Sequence, residues 1–76
     1  MDLAKLEKMA NQIAANVDYG PDKAKAVAVV ADHLTRFWTP AMRAAIIDAH
    51  RQNKVALSAV AAKAVEALPP PKINAA

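Results

Sequence analysis

Few residues in this chain are able to do chemistry. His33 and His50 are the only imidazoles, seven acids are spread from Asp2 to Glu66, and there is no cysteine. A zinc site needs three or four converging ligands. The two histidines stand 17 positions apart, with no His-x3-His spacing and no adjoining carboxylate pair. No Ser-His-Asp order suits nucleophilic catalysis, and no two acids share a helical face for general acid–base work. Gly20 is the single glycine, which excludes glycine-rich phosphate and dinucleotide loops. Without thiols there is no disulfide framework, no cysteine-ligated zinc or iron–sulfur site and no thiol nucleophile. Both histidines therefore read as surface or interface side chains that donate a hydrogen bond. No catalytic, cofactor-binding or metal-binding residue is expected in this chain.

A different chemistry stands out between Arg36 and Arg43. This stretch holds two of the three aromatics, Phe37 and Trp38, two of the three arginines, and Met42. Trp, Phe, Met and Arg are the residue types enriched where proteins meet. Phe37, Trp38 and Pro40 read as the structural part of a helix corner, with both rings inward. Arg36, Met42 and Arg43 read as its partner-binding part. On an earlier helix the Asn11 and Gln12 amides lie off the apolar stripe, where they would hydrogen-bond across an interface and set its register.

Four helices are predicted to carry these residues. Asp2 is a good N-cap for a first helix to about Val17, whose stripe is Leu3, Leu6, Met9 with Ala10, Ile13 and Val17. Asp18-Tyr19-Gly20-Pro21 ends it. A second helix runs from Pro21 or Asp22 to Trp38 with Val27, Val30, Ala31, Leu34, Phe37 and Trp38 inward; Asp32 and Arg36 stand four apart, acid first. Thr39 caps a third helix that opens on Pro40 and reaches about Asn53, and Trp38 is expected to fill the corner between the two. Ser58 caps a short fourth helix to Leu68. The fold class expected is all-α, a small bundle of three to four helices over residues 1–68. The Pro-rich segment 69–76 is expected to be a disordered tail.

Composition narrows the function classes further. The chain has 76 residues, and 55% of them count as hydrophobic, but 20 are Ala and only 22 are larger apolar residues. That supports a core two helices thick, with no room for a deep pocket that encloses a substrate. The net charge of +3 is mild and scattered, whereas a nucleic-acid module concentrates its basic residues on one face. A helix-turn-helix with its turn at Tyr19-Gly20 would make the second helix the reader, and Ala24, Ala26, Ala28 and Val29 offer little to a base edge. DNA binding is the alternative reading, and nucleic acid is not the expected partner. Charges at Asp2, Lys5, Glu7 and Lys8 spoil a signal-peptide core, and no apolar run reaches the ~20 residues of a membrane helix. A cytoplasmic protein with no membrane contact is expected.

Two motifs resemble a known family. Lys8-Met9-Ala10-Asn11-Gln12-Ile13, and Ala31-Asp32-His33-Leu34-Thr35-Arg36-Phe37-Trp38-Thr39-Pro40-Ala41-Met42-Arg43 followed by His50 and Leu57-Ser58, are similar to signatures of the delta subunit of soluble NAD-dependent formate dehydrogenases. The likeness runs from about residue 6 to 66. It implies an accessory subunit without catalytic residues that binds the large catalytic subunit and supports its assembly, cofactor maturation or stability. It also implies that the molybdenum or tungsten pterin, the iron–sulfur clusters, FMN and NAD belong to the partner subunits, with no cofactor in this chain.

Overall fold

A computed structural model describes residues 2–18 and 20–69. Four helices follow one another: α1 (Leu3–Val17), α2 (Lys23–Phe37), α3 (Pro40–Arg51) and α4 (Ala59–Ala67), and there is no strand among the described residues. Helix α1 packs against the other three, and so does α4. The bundle is all-α, as expected. Of the Pro-rich segment expected to form a tail, residues 70–76 lie outside the described residues, as does Tyr19.

Each helix begins where a short polar side chain satisfies an orphan amide of its first turn. Asp2 accepts from the Lys5 amide, Asp22 from Lys25, Thr39 from Met42 and Ser58 from Ala61. Pro40 sits at the first position of α3, where its missing N–H costs nothing. Helix α3 stops at Arg51, two residues short of the expected end, because Asn53 takes a left-handed conformation with φ 57°. The Lys54 amide then bonds the Ala49 carbonyl at 2.9 Å and the Asn53 amide bonds His50 at 3.2 Å. These paired bonds make a Schellman ending with asparagine in the place usually held by glycine.

The core is one cluster built from narrow stripes: Leu6, Ala10 and Ala14 on α1, Ala26, Val30 and Leu34 on α2, Ile46 and Ile47 on α3, and Val60, Ala61, Ala64 and Val65 on α4. Alanines at the contacts bring helix axes close together, so the few branched side chains interlock without a thick interior. Leu34, Ile46, Val30 and Val65 are the largest side chains sealed completely. On α2 the inward register is Ala26 rather than Val27, which is only half-buried.

Trp38 closes the corner between α2 and α3. Its backbone leaves helical geometry (ψ 143°), which swings the indole inward until the residue is 5% exposed. Phe37 was expected inward beside it and is instead 70% exposed. Adjacent residues at a helix end cannot both turn into one corner, and Trp38 takes the space.

The connection from α3 to α4 has no regular structure, so its backbone groups need partners. Helix α1 supplies them. The Asn11 amide donates to the Ala56 carbonyl at 2.8 Å and its oxygen accepts from the Ser58 amide at 2.8 Å. The Glu7 carboxylate accepts from the Ala56 amide. Asn11 was expected to face a partner protein; both halves of its amide are used within the fold, because the 54–58 segment crosses α1 at that point.

Trp38→Ala should destabilise the chain by about 3–5 kcal/mol, a large share of the ~4–11 kcal/mol typical for this length, as read by urea unfolding. Asn11→Ala should lower stability by about 1–3 kcal/mol. Asn11→Asp, which keeps only the acceptor and sets a second carboxylate beside Glu7, should not restore it.

Candidate functional site

Helices α1 and α2 are joined by the five residues 18–22 and pack against each other, and two separate hollows open beside them. The first, an apolar groove of about 390 Å³, is lined by Met9, Gln12, Ile13 and Asn16 of α1, His33 and Phe37 of α2, Trp38 at the corner and Met42 of α3. The second, of about 300 Å³, is lined by Val17, Pro21, Asp22, Lys25 and Val29 with Gly20 and Ala26. The helical repeat accounts for the lining: Met9, Ile13 and Val17 recur every fourth residue on α1, and Val29, His33 and Phe37 do so on α2. Val29 (42%) and Phe37 (70%) are the exposed large hydrophobic residues among those described, and both belong to this stripe. The Phe37 ring leans against the His33 imidazole, with centroids 4.7 Å apart and planes tilted by 46°.

The expected partner-binding residues divide. Gln12, exposed, and Met42, half-buried, line the groove. Arg36 is exposed on α2 and pairs with Asp32, Nε to Oδ2 at 3.1 Å. Arg43 was expected to be available to a partner, but it turns back onto the preceding helix. Its Nη1 donates to the carbonyls of Leu34 and Thr35, each at 3.2 Å, and to that of Trp38. A guanidinium there partners the Thr35 and Trp38 carbonyls and shares the Leu34 carbonyl with the Trp38 amide, and it lies at the negative end of the helix dipole. Asn11 lies on the far side of α1, against segment 54–58. Pro40 is exposed at the start of α3 and Trp38 forms the groove's floor at the corner.

Met9, Ile13 and Asn16 were not expected at a site, and His33, expected as a surface or interface side chain, lines the groove with them. Met9 and Ile13 belong to the stripe read as core, and their signal was its width: Leu6, Ala10 and Ala14 fill the interior, leaving these two at its edge. His33 and Phe37 carry the four-residue spacing of one helical face.

The charged groups show a consistent division. Each of the seven acids has a partner inside the chain. Asp2 and Asp22 cap helices, Glu7 holds Ala56, Asp18 pairs with Lys23, and Asp32 with Arg36. Asp48 accepts from Gln52 at 2.9 Å, and Glu66 meets His50 at 2.8 Å, tying α4 to α3. By contrast, Lys5, Lys8, Lys25, Arg51, Lys54 and Lys63 meet no carboxylate among the described residues. These six side chains are not ion-paired, while Asp2, Glu7, Asp22 and Asp48 keep their charge beside neutral donors. No group of three His, Cys, Asp or Glu that could hold a metal occurs among the described residues, and none of their helices is long and apolar enough to cross a membrane.

The two arginines should differ on substitution. Arg43→Ala should lower stability by about 1–3 kcal/mol by unsatisfying the end of α2. Arg43→Lys should recover part of that, since all three bonds come from one nitrogen and an ammonium carries three donors on a shorter side chain. Arg36→Ala should change stability by only about 0.3–0.5 kcal/mol, the size of an exposed i,i+4 pair. Thermal unfolding of the three variants checks the contrast.

No curated protein and no solved structure matches the chain. A sequence model of one family, described as the NADH-dependent formate dehydrogenase delta subunit, matches residues 5–65. The matched stretch takes in nearly all of α1, the whole of α2 and α3, and most of α4, so both walls of the groove and the Trp38 corner fall within it. This chain belongs to the NADH-dependent formate dehydrogenase delta subunit family.

Proposed function

We propose that the chain is a non-catalytic accessory subunit that docks on the large catalytic subunit of a formate dehydrogenase complex and supports that subunit's assembly, cofactor maturation or stability. The observation that carries this reading is the α1–α2 groove with Phe37 at its rim. A chain with so few large apolar side chains leaves its phenylalanine 70% exposed while its polar groups satisfy its own backbone. An exposed aromatic beside an apolar channel is the arrangement of a protein-binding face.

The donor set supports the same division of labour. Iron–sulfur clusters are held mainly by cysteine thiolates, and this chain has no cysteine. Its seven carboxylates are committed to caps, clamps and pairs, so they do not form a free ligand set for a pterin-bound metal. Formate oxidation to carbon dioxide with reduction of NAD is assigned in this reading to the other subunits, which would hold the molybdenum or tungsten pterin, the clusters, FMN and NAD. Here the delta chain contributes surface.

Production of the complex with and without this chain tests the proposal. Without it, the large subunit should carry less metal and pterin, or lose formate:NAD turnover faster on incubation. Added to finished holoenzyme, the purified chain should leave KM for formate and NAD unchanged. Full cofactor content, turnover and thermal half-life in its absence would overturn the reading. Equal molar amounts of the chain in active enzyme would identify a resident subunit rather than a factor that leaves after maturation.

A further inference from the structure

We infer that the 390 Å³ groove receives an extended, uncharged segment of the catalytic subunit, its backbone held by the Gln12 and Asn16 carboxamides and its alternate apolar side chains set against Phe37. The inference rests on the accessory-subunit reading and names the site and the chemistry of the partner segment.

Three observations select this occupant. The first is a precedent within the chain. Helix α1 carries three carboxamides, Asn11, Gln12 and Asn16. Asn11 already grips non-helical backbone, donating to the Ala56 carbonyl and accepting from the Ser58 amide, each at 2.8 Å. A carboxamide suits this task because it holds donors and an acceptor together, as a peptide group does. Gln12 and Asn16 present the same group on the groove wall, and both are exposed. The side-chain hydrogen bonds that α1 makes among the described residues run through Glu7 and Asn11; Gln12 and Asn16 make none. Four residues apart on a helix, these two stand about 6 Å apart along its axis. Alternate residues of an extended chain repeat at about 6.6 Å and turn their N–H and C=O groups to the same side. A docked helix has its interior backbone groups bonded within itself and offers the two carboxamides no such ladder.

The second is charge. No Lys, Arg, Asp or Glu lines this groove, unlike the smaller hollow, where Asp22 and Lys25 do. A charged side chain pressed into it would lose water and meet no opposite charge. An uncharged segment carries no such penalty. Met9 and Met42 are unbranched and adapt to the side chains laid on them, and Phe37, its ring against His33, is the exposed aromatic anchor.

The third is who can supply such a segment. Between the helices of a second copy, segment 52–58 is already held by its own Glu7 and Asn11, and 18–22 begins and ends on an acid. Nucleic acid would find no cation in the lining to meet its phosphates. An edge-type segment of a larger partner supplies what is required: main-chain hydrogen bonds for affinity and alternate side chains for specificity.

The full-length chain is titrated against purified catalytic subunit prepared without it, at low and high salt. Phe37→Ala should weaken binding at least tenfold with an unchanged melting temperature, since the ring is exposed. Gln12→Ala with Asn16→Ala should weaken it about tenfold without lowering the melting temperature, because alanine favours a helix. Gln12→Glu with Asn16→Asp keeps the acceptors and removes the donors, so it should bind no better than the alanine pair. Wild-type affinity should change by no more than roughly twofold with salt. In a second measurement, Phe37→p-benzoylphenylalanine in the assembled complex should cross-link on illumination to a stretch of the catalytic subunit free of Asp, Glu, Lys and Arg and apolar at alternate positions. Wild-type affinity in the Phe37 variant overturns the groove assignment and leaves the accessory reading standing. Loss of affinity in the Phe37 variant but not in the carboxamide pairs, or cross-linking to a segment of helical period, overturns the extended conformation. A steep fall in affinity with salt overturns the uncharged character. Self-association abolished by Phe37→Ala assigns the groove to a second copy and replaces the proposal. Failure of the wild-type chain to bind the catalytic subunit at any salt overturns both this inference and the accessory reading.

Discussion

The corner at Trp38 is the constraint on which the other contacts depend. Helix α2 must end abruptly for α3 to begin after only two intervening residues, and an abrupt end leaves carbonyls without partners in a half-buried place. Arg43 answers this from the next helix, placing one guanidinium nitrogen among the carbonyls of Leu34, Thr35 and Trp38. With those groups satisfied, the indole turns inward and α3 starts at a capped threonine followed by proline. Displacement of Phe37 to the surface is part of the same solution. The groove and the interior are thus two outcomes of one helix ending.

The polar side chains follow a related economy. A two-layer bundle of 76 residues has little apolar area with which to compensate an unsatisfied backbone group. Glu7 and Asn11 hold the irregular segment before α4, four short side chains start the four helices, and Asn53 ends α3. What remains outside these tasks is a set of lysines and one arginine, together with Phe37 and Val29. The surface inherits its character from what the interior did not require.

Local features were legible in the sequence. Asp2, Thr39 and Ser58 as caps, Pro40 as a first helical residue and the Asp32–Arg36 pair depend on spacings of one to four residues, within which backbone geometry is set by the helix itself. The end of α3 was placed two residues too far because Asn53 takes its left-handed turn in a stretch without glycine or proline. Long-range roles were not legible. Asn11 meets residues 45 and 47 positions away, and nothing in a helical wheel distinguishes an amide facing another protein from one facing a distant loop. Arg43 reads on the wheel as a free surface charge because its carbonyl acceptors belong to a different helix. Phe37 and Trp38 were indistinguishable by hydrophobicity, and only the extended backbone at Trp38 decides which ring enters. At the groove, Gln12 and Met42 are residues the sequence also named and His33 one it read as surface or interface, while Met9 and Ile13 read as core because a stripe wider than the core it feeds looks like core throughout.

The buried alanines have a consequence for how this chain tolerates change. Ala10, Ala14, Ala61 and Ala64 are each no more than 1% exposed, at contacts where α1 and α4 meet their neighbours. Their role is to limit volume. In most interiors a larger apolar residue is the conservative replacement; at these four positions added methyl groups would push helix axes apart and strain the interlocked branched residues. Helix separation would in turn stretch the Asn11 bonds to segment 54–58 and widen the α1–α2 groove. The neutral substitutions available here are bounded by size rather than polarity, so serine should be accepted at such positions more readily than leucine.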